Sequence, residues 1–185
     1  MLLIGCLPKN RYVEQHDVFF GIGNTIKEVL EQAMASWPEA GNTFHLDAWR
    51  TVSNVDGHRI SIVSKTAEAA EPHLFFLNLG GYKPFEFEEF HYKMIVVAND
   101  KNEAMKAAKQ TAFFRHTGLK GAPAHIDEKY GVDVDNVYSV KDILPDLYRS
   151  QFSIMIGAYD PSLESDLLQL GYFRPAKVDE WGKDL

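Results

Sequence analysis

Glu14 and His16 stand two residues apart in the run VEQHDVFF, and His45 and Asp47 stand two apart in HLDAWR. Residues i and i+2 of an extended strand share a face, so each run presents an imidazole beside a carboxylate. Where two such strands are neighbours, two imidazoles and two carboxylates converge. That donor set suits zinc or another divalent cation, and it equally suits acid–base work on a small molecule. All four residue types recur later in the chain, as Glu89 and His91 in EFHYKMIVVA and as His125 and Asp127 in HIDEKY. The plainer reading of the same residues is structural: strand histidines whose rings are fixed by hydrogen bonds to carboxylates. Glu14, His16, His45, Asp47, Glu89, His91, His125 and Asp127 are thus candidate binding residues, with no catalytic residue, metal or cofactor assigned.

Other features carry less chemistry. GIGNT (Gly21 to Thr25) sits where a strand feeds a helix, but a dinucleotide fingerprint needs a third glycine where Ile26 stands. A tight strand-to-helix turn accounts for the two glycines. Cys6 is the single cysteine, and its repeat partner is Gly81, so it reads as a buried thiol rather than a nucleophile. Tyr12, Trp37, Trp49, Phe85, Phe87 and Phe90 would line a groove or, more simply, fill a core. His58, His73 and His116 are single and read as surface residues. No nucleophile elbow, phosphate loop or paired-cysteine metal motif is present.

The elements that must position the eight candidates repeat along with them. A shift of 75 places Gly5 on Gly80, Glu14 on Glu89, His16 on His91, Asn24 on Asn99, Glu28 on Glu103 and Ala33 on Ala108. MLLIGC and LFFLNLG are short apolar runs of strand composition, each followed by a polar loop and a second strand, Val13 to Ile22 or Glu88 to Val97. A helix follows each. Thr25 stands three residues before Glu28 and Asp100 three before Glu103, both at capping-box spacing. The first helix lines up Ile26, Val29, Leu30, Ala33, Met34 and Trp37 and stops before Pro38. The second lines up Ala104, Met105, Ala108 and Ala112, and is expected to end near Gly118. Past it the shift becomes 80, since HTGLKGAPA lengthens the second loop, and His45 and Asp47 then match His125 and Asp127. NVDG supplies an Asp-Gly hairpin turn returning through HRISIV, and VYSV would be the second copy's return strand.

The expected fold class is therefore α+β. Two tandem strand-strand-helix-strand-strand units related by pseudo-twofold symmetry span 1–64 and 74–145, joined by a linker at 65–73. A C-terminal extension, 146–185, adds a strand at FSIMIGA and a short helix at DPSLESDLLQLG, capped by Asp160 and ended by Gly171.

Nineteen basic residues against twenty-six acidic give a formal net charge of -7, which opposes nucleic acid and anionic membranes as partners. One cysteine permits no intrachain disulfide, consistent with a reducing cytoplasm. LIGC resembles the end of a lipoprotein signal, but the stretch ahead of it is too short, and MLLIGCL is expected as a buried first strand. No run approaches the ~18 apolar residues of a membrane span. A homodimer formed through strand edges or aromatic surface, and a small ligand or protein of unspecified kind, remain as partners.

GCLPKNRYVEQHDVFFGIG, HLDAWR, LGGYKPFEFEEFHYKMIVVA and HIDEKYGVDVDNVYSV resemble the bacterial family catalogued as domain of unknown function 1543, whose members carry this unit in tandem. The resemblance covers Met1 to Pro145. It implies a duplicated α+β fold in a bacterial cytosol, and no activity, cofactor or catalytic residue. The expected role is a soluble binding or interaction module, the alternative being a metal-dependent or acid–base enzyme acting through the Glu/His/His/Asp sets.

Overall fold

In the computed structural model, residues 1–65, 71–111, 125–126 and 137–180 are described. They form two compact units. The first comprises Met1–Ser53, Leu144–Gln151 and Glu164–Leu185, and the second Asn54–Ile143 and Phe152–Leu163.

In the first unit, β1 (Leu2–Cys6) is flanked by β2 (Gln15–Phe19) and β3 (His45–Trp49). The strand β11 (Gln169–Phe173) pairs on the far side of β3, and all pairings are antiparallel. Leu2, Ile4 and Cys6 alternate onto one face, where Leu30 and Ala33 of α1 (Ile26–Ser36) meet them with Phe19, Phe44 and Leu46. The helix forms where its cap predicts. The Thr25 hydroxyl accepts from the Glu28 amide, while the Glu28 carboxylate accepts from the Asn24 amide at 2.8 Å. Gly21 and Gly23 serve the close approach of this turn to α1: a Cβ on Gly21 would lie 2.8 Å from side-chain atoms of Phe19, Val29 and Gln32.

The second unit holds β6 (His73–Tyr82), paired along its whole length with β7 (Glu89–Ala98). On its other side β6 pairs with β8 (His125–Ile126) and with β9 (Val137–Ser139). The helix α2 (Lys101–Lys109) packs Ala104 and Ala108 onto Phe75, Leu77, Leu79 and Val96. Asp100 accepts from the Glu103 amide at 2.8 Å and Glu103 from the Asn99 amide at 2.8 Å, the same reciprocal cap as in α1. A second sheet of the unit has the order β10 (Phe152–Tyr159), β5 (His58–Ser64), β4 (Asn54–Val55).

The α+β class is the one observed, with three differences from expectation. The hairpin β4–β5 turns at Asp56 and Gly57, both at positive φ as an Asp-Gly turn requires, but β5 hydrogen-bonds β10 and lies in the second unit. VYSV likewise pairs with β6 itself at Phe75–Leu77, so β8 and β9 occupy one flank of β6. The helix expected over Asp160–Gly171 does not form. The Asp160 carboxylate instead accepts from the Ser162 amide (2.9 Å) and hydroxyl (2.6 Å), a local turn that competes with helix, and the chain continues into β11. The end of the second helix expected near Gly118 lies outside the described residues.

Candidate functional site

The first unit brings Glu14, His16, His45 and Asp47 together. Gly5 of β1 pairs with His16 on one side and His45 on the other, so the two rings flank a residue without a side chain. This row faces away from the Leu2, Ile4 and Cys6 face that packs on α1. A Cβ on Gly5 would lie 2.5 Å from His45 Nε2, 2.9 Å from Asp47 Oδ2 and 3.0 Å from His16 Cδ2. The gap left by glycine is the floor of the site.

His45 is 1 % exposed. Its Nδ1 lies 2.9 Å from the Thr43 carbonyl, which can only accept, so Nδ1 carries a proton and Nε2 is the ring nitrogen turned to the site. Nε2 lies 3.5 Å from Asp47 Oδ1 and 3.8 Å from Glu14 Oε2. Neither His45 Nε2 nor Asp47 Oδ2 has a hydrogen-bond partner. Asp47 Oδ2 lies 3.1 Å from His16 Nε2, close enough for an ion pair but not aligned as a hydrogen bond. One donor atom from each of Glu14, His16 and His45 lies within 4.8 Å of the others. Tyr172 stacks on His45 at 4.4 Å between centroids, placed there by the irregular pairing of β11 between Leu170 and Phe173. Under the opposite face, burial first and the Glu14 carboxylate second push the Cys6 thiol above its ordinary value.

In the second unit Gly80 pairs with His91 on β7 and with His125 on β8, the register of Gly5 with His16 and His45. The turns ahead of the second strands match too. Asn10 and Phe85 both have positive φ, and the Arg11 and Glu86 amides donate to the Pro8 and Lys83 carbonyls. Partners around the histidine differ, however. The Asn78 amide donates to His91 Nδ1 at 3.1 Å, the Tyr82 hydroxyl donates to Glu89 at 2.7 Å, and His91 Nε2 lies 4.0 Å from Glu89 Oε2. Only the backbone pairing of His125 is described, and Asp127 lies outside the described residues.

Three contributors were not foreseen from the sequence: Gly5 as the floor, Thr43 as the carbonyl that sets the His45 tautomer, and Tyr172 as the cover. A glycine inside a strand is a known sign of close approach by another group, and it was the available signal. Tyr172 lay in the stretch read as following a helix. Tyr12, Phe85 and Phe87, expected in the core, are fully exposed, because they sit on the connections between paired strands beyond the reach of either core. His58 and His73 are half-buried rather than on the surface, and His116 is outside the described residues.

A cleft of about 580 Å³ opens beside the site, lined by Glu14 and Tyr172 together with Leu7, Met34, Phe44 and Arg174. Among the described residues, no helix is long and apolar enough to cross a membrane.

Residues 11–62 match the family model described as Domain of Unknown Function (DUF1543). The match takes in Glu14, His16, His45 and Asp47. Among solved structures, the chain is similar to the protein Il1583 from Idiomarina loihiensis, at 21% sequence identity and a TM-score of 0.52, over 93% of this chain and 92% of that one. At that identity the likeness concerns the fold alone. No curated protein matches the sequence.

Proposed function

We propose that this chain is a binding module whose first unit holds a divalent cation through Glu14, His16, His45 and Asp47. One observation carries the reading. A buried imidazole nitrogen without a hydrogen-bond partner faces two carboxylates, in a space that glycine leaves open. Two carboxylates converging on one buried site repel each other, and a cation between them turns that repulsion into attraction. Four donors at ~2.1 Å around a tetrahedral ion lie about 3.4 Å from one another. The separations of 3.1, 3.5 and 3.8 Å are near that figure, and the donor atoms of Glu14, His16 and His45, which lie within 4.8 Å of one another, would draw inward to close on an ion. Two imidazoles with two carboxylates suit zinc, and also manganese or iron.

The shared register of Gly5 and Gly80, the paired turns at Asn10 and Phe85, and the twin caps support an origin of both units by duplication, with the linker at 65–73. A cytoplasmic setting without nucleic-acid partners accords with the acidic charge and the single cysteine.

The test is calorimetric titration of chelator-treated, dialysed protein with zinc chloride, alongside elemental analysis of protein purified without chelator. We expect one site in the first unit, with affinity lowered about 100-fold or more by His45→Ala or Glu14→Gln and left unchanged by His91→Ala. Circular dichroism confirms that each variant is folded. The same affinity in His45→Ala, Glu14→Gln and the parent, or no binding tighter than about 1 mM for zinc, manganese or iron, about 4 kcal/mol, overturns the proposal.

A further inference from the structure

We infer that the cleft beside Glu14 binds a small organic acid, with its carboxylate at Arg174 and an apolar body along Leu7, Met34 and Phe44. This rests on the cation reading above, since Glu14 lines the cleft and also supplies a donor to the proposed ion. The volume of about 580 Å³ lies inside the range of roughly 300–1,000 Å³ typical of small-molecule sites. Leu7 and Met34 expose much of their apolar surface where they line it, which water covers poorly and a hydrocarbon body would cover well.

Charge selects the head group. A divalent ion held by Glu14 and Asp47 leaves those carboxylates neutralised, so the net charge facing the cleft is that of Arg174. Among the described residues no carboxylate pairs with this guanidinium. Its one side-chain neighbour of note is the Tyr172 ring, 5.8 Å from Cζ to the centroid. A planar guanidinium fork lining the cleft together with Leu7, Met34 and Phe44 matches a carboxylate by paired hydrogen bonds and repels an amine. Tyr172 links the two features physically, for the same ring stacks on His45.

The test uses zinc-loaded protein and three probes that share one body: 4-phenylbutanoate, its uncharged amide, and 4-phenylbutylamine, each followed by ligand-observed NMR. We expect the acid to bind at least about 10-fold more tightly than the amide, the increment of a charge-assisted hydrogen bond. The amine should bind least. Arg174→Gln should bring the acid down to the level of the amide while zinc affinity stays as in the parent. Equal binding of acid and amide, no binding of the acid, or a preference that survives Arg174→Gln overturns the inference. Zinc affinity measured on the same samples separates the two readings. Protein that takes zinc but shows no preference refutes the cleft assignment alone. Protein that takes no zinc yet prefers the acid through Arg174 refutes the cation reading and upholds the cleft.

Discussion

Gly5→Ala adds a single methyl group where the first unit has no room for it. The new carbon would lie 2.5 Å from His45 Nε2, about 1 Å inside an ordinary carbon–nitrogen contact. His45 has nowhere to withdraw, since its Nδ1 is tied to the Thr43 carbonyl at 2.9 Å and its face is covered by Tyr172 at 4.4 Å. Overpacking at a site that cannot yield costs roughly 1–3 kcal/mol. Against this stands a gain of about 0.4–1 kcal/mol from the stiffer unfolded chain. The net loss is then ~1–2 kcal/mol, a fall in Tm of about 2–8 °C for a chain of this size. Scanning calorimetry reads that fall, and a zinc titration of the same sample should show the site abolished, because the methyl fills the space of the ion. Gly157→Ala is the control. Its Cβ would meet Arg59 atoms at 3.4 Å, an ordinary contact, and no loss beyond about 0.5 kcal/mol is expected. An unchanged Tm for Gly5→Ala would refute the account of the site as rigid, and an unchanged zinc affinity would refute the space beneath His45 as the seat of the ion.

Two further outcomes follow from the same physics. Thr25→Ala and Asp100→Ala each remove a side-chain acceptor from the first turn of a helix and should destabilise by about 1 kcal/mol, read by urea unfolding. Equal stability to the parent would mean that neither cap is formed in solution. The Cys6 thiol, raised above its ordinary value of 9.0 by burial and then by Glu14, favours the neutral form in the folded chain. Its contribution to stability is present below that value and is lost as pH rises through it, because the unfolded chain then releases a proton that the folded chain retains. Unfolding free energy should therefore fall more steeply above pH 9.0 in the parent than in Cys6→Ala, with equal slopes as the refuting result.

Much of the frame was legible because its signals are local. Capping pairs at Thr25/Glu28 and Asp100/Glu103, the turn at Asp56–Gly57 and the buried strand at Leu2–Cys6 depend on neighbours within a few residues, and all four are seen. Strand alternation alone put Glu14 with His16 and His45 with Asp47, but β2 and β3 are not the neighbours expected: β1 runs between them, and Gly5 leaves the gap across which the two pairs meet. What escaped was long-range. Nothing near His58–Ser64 announces that its partner is Phe152–Tyr159, since either sheet would accept the same apolar alternation. Likewise the 160–171 stretch has helix signals at both ends, but the short hydrogen bonds from Ser162 to Asp160 and the pairing of Gln169–Phe173 with β3 outweigh them. The cover on His45 was hidden by that same misreading.

The two units show how one backbone pattern supports different chemistry. Each sets a histidine beside a strand glycine, with a glutamate two residues before it. In the second unit Asn78 occupies the position that Leu3 holds in the first, and its amide answers the lone pair of His91. Tyr82 occupies the position of Leu7 and answers Glu89 with a hydroxyl. Two donors there do what a cation is proposed to do in the first unit, where Leu3 and Leu7 have no donor to offer. Leu7 in turn lines the cleft, so the apolar residue that leaves Glu14 without a donor is also a wall for a ligand. A change of donor at two positions thus suffices to turn a self-satisfied histidine–glutamate pair into one that must find its partner outside the chain, or the reverse.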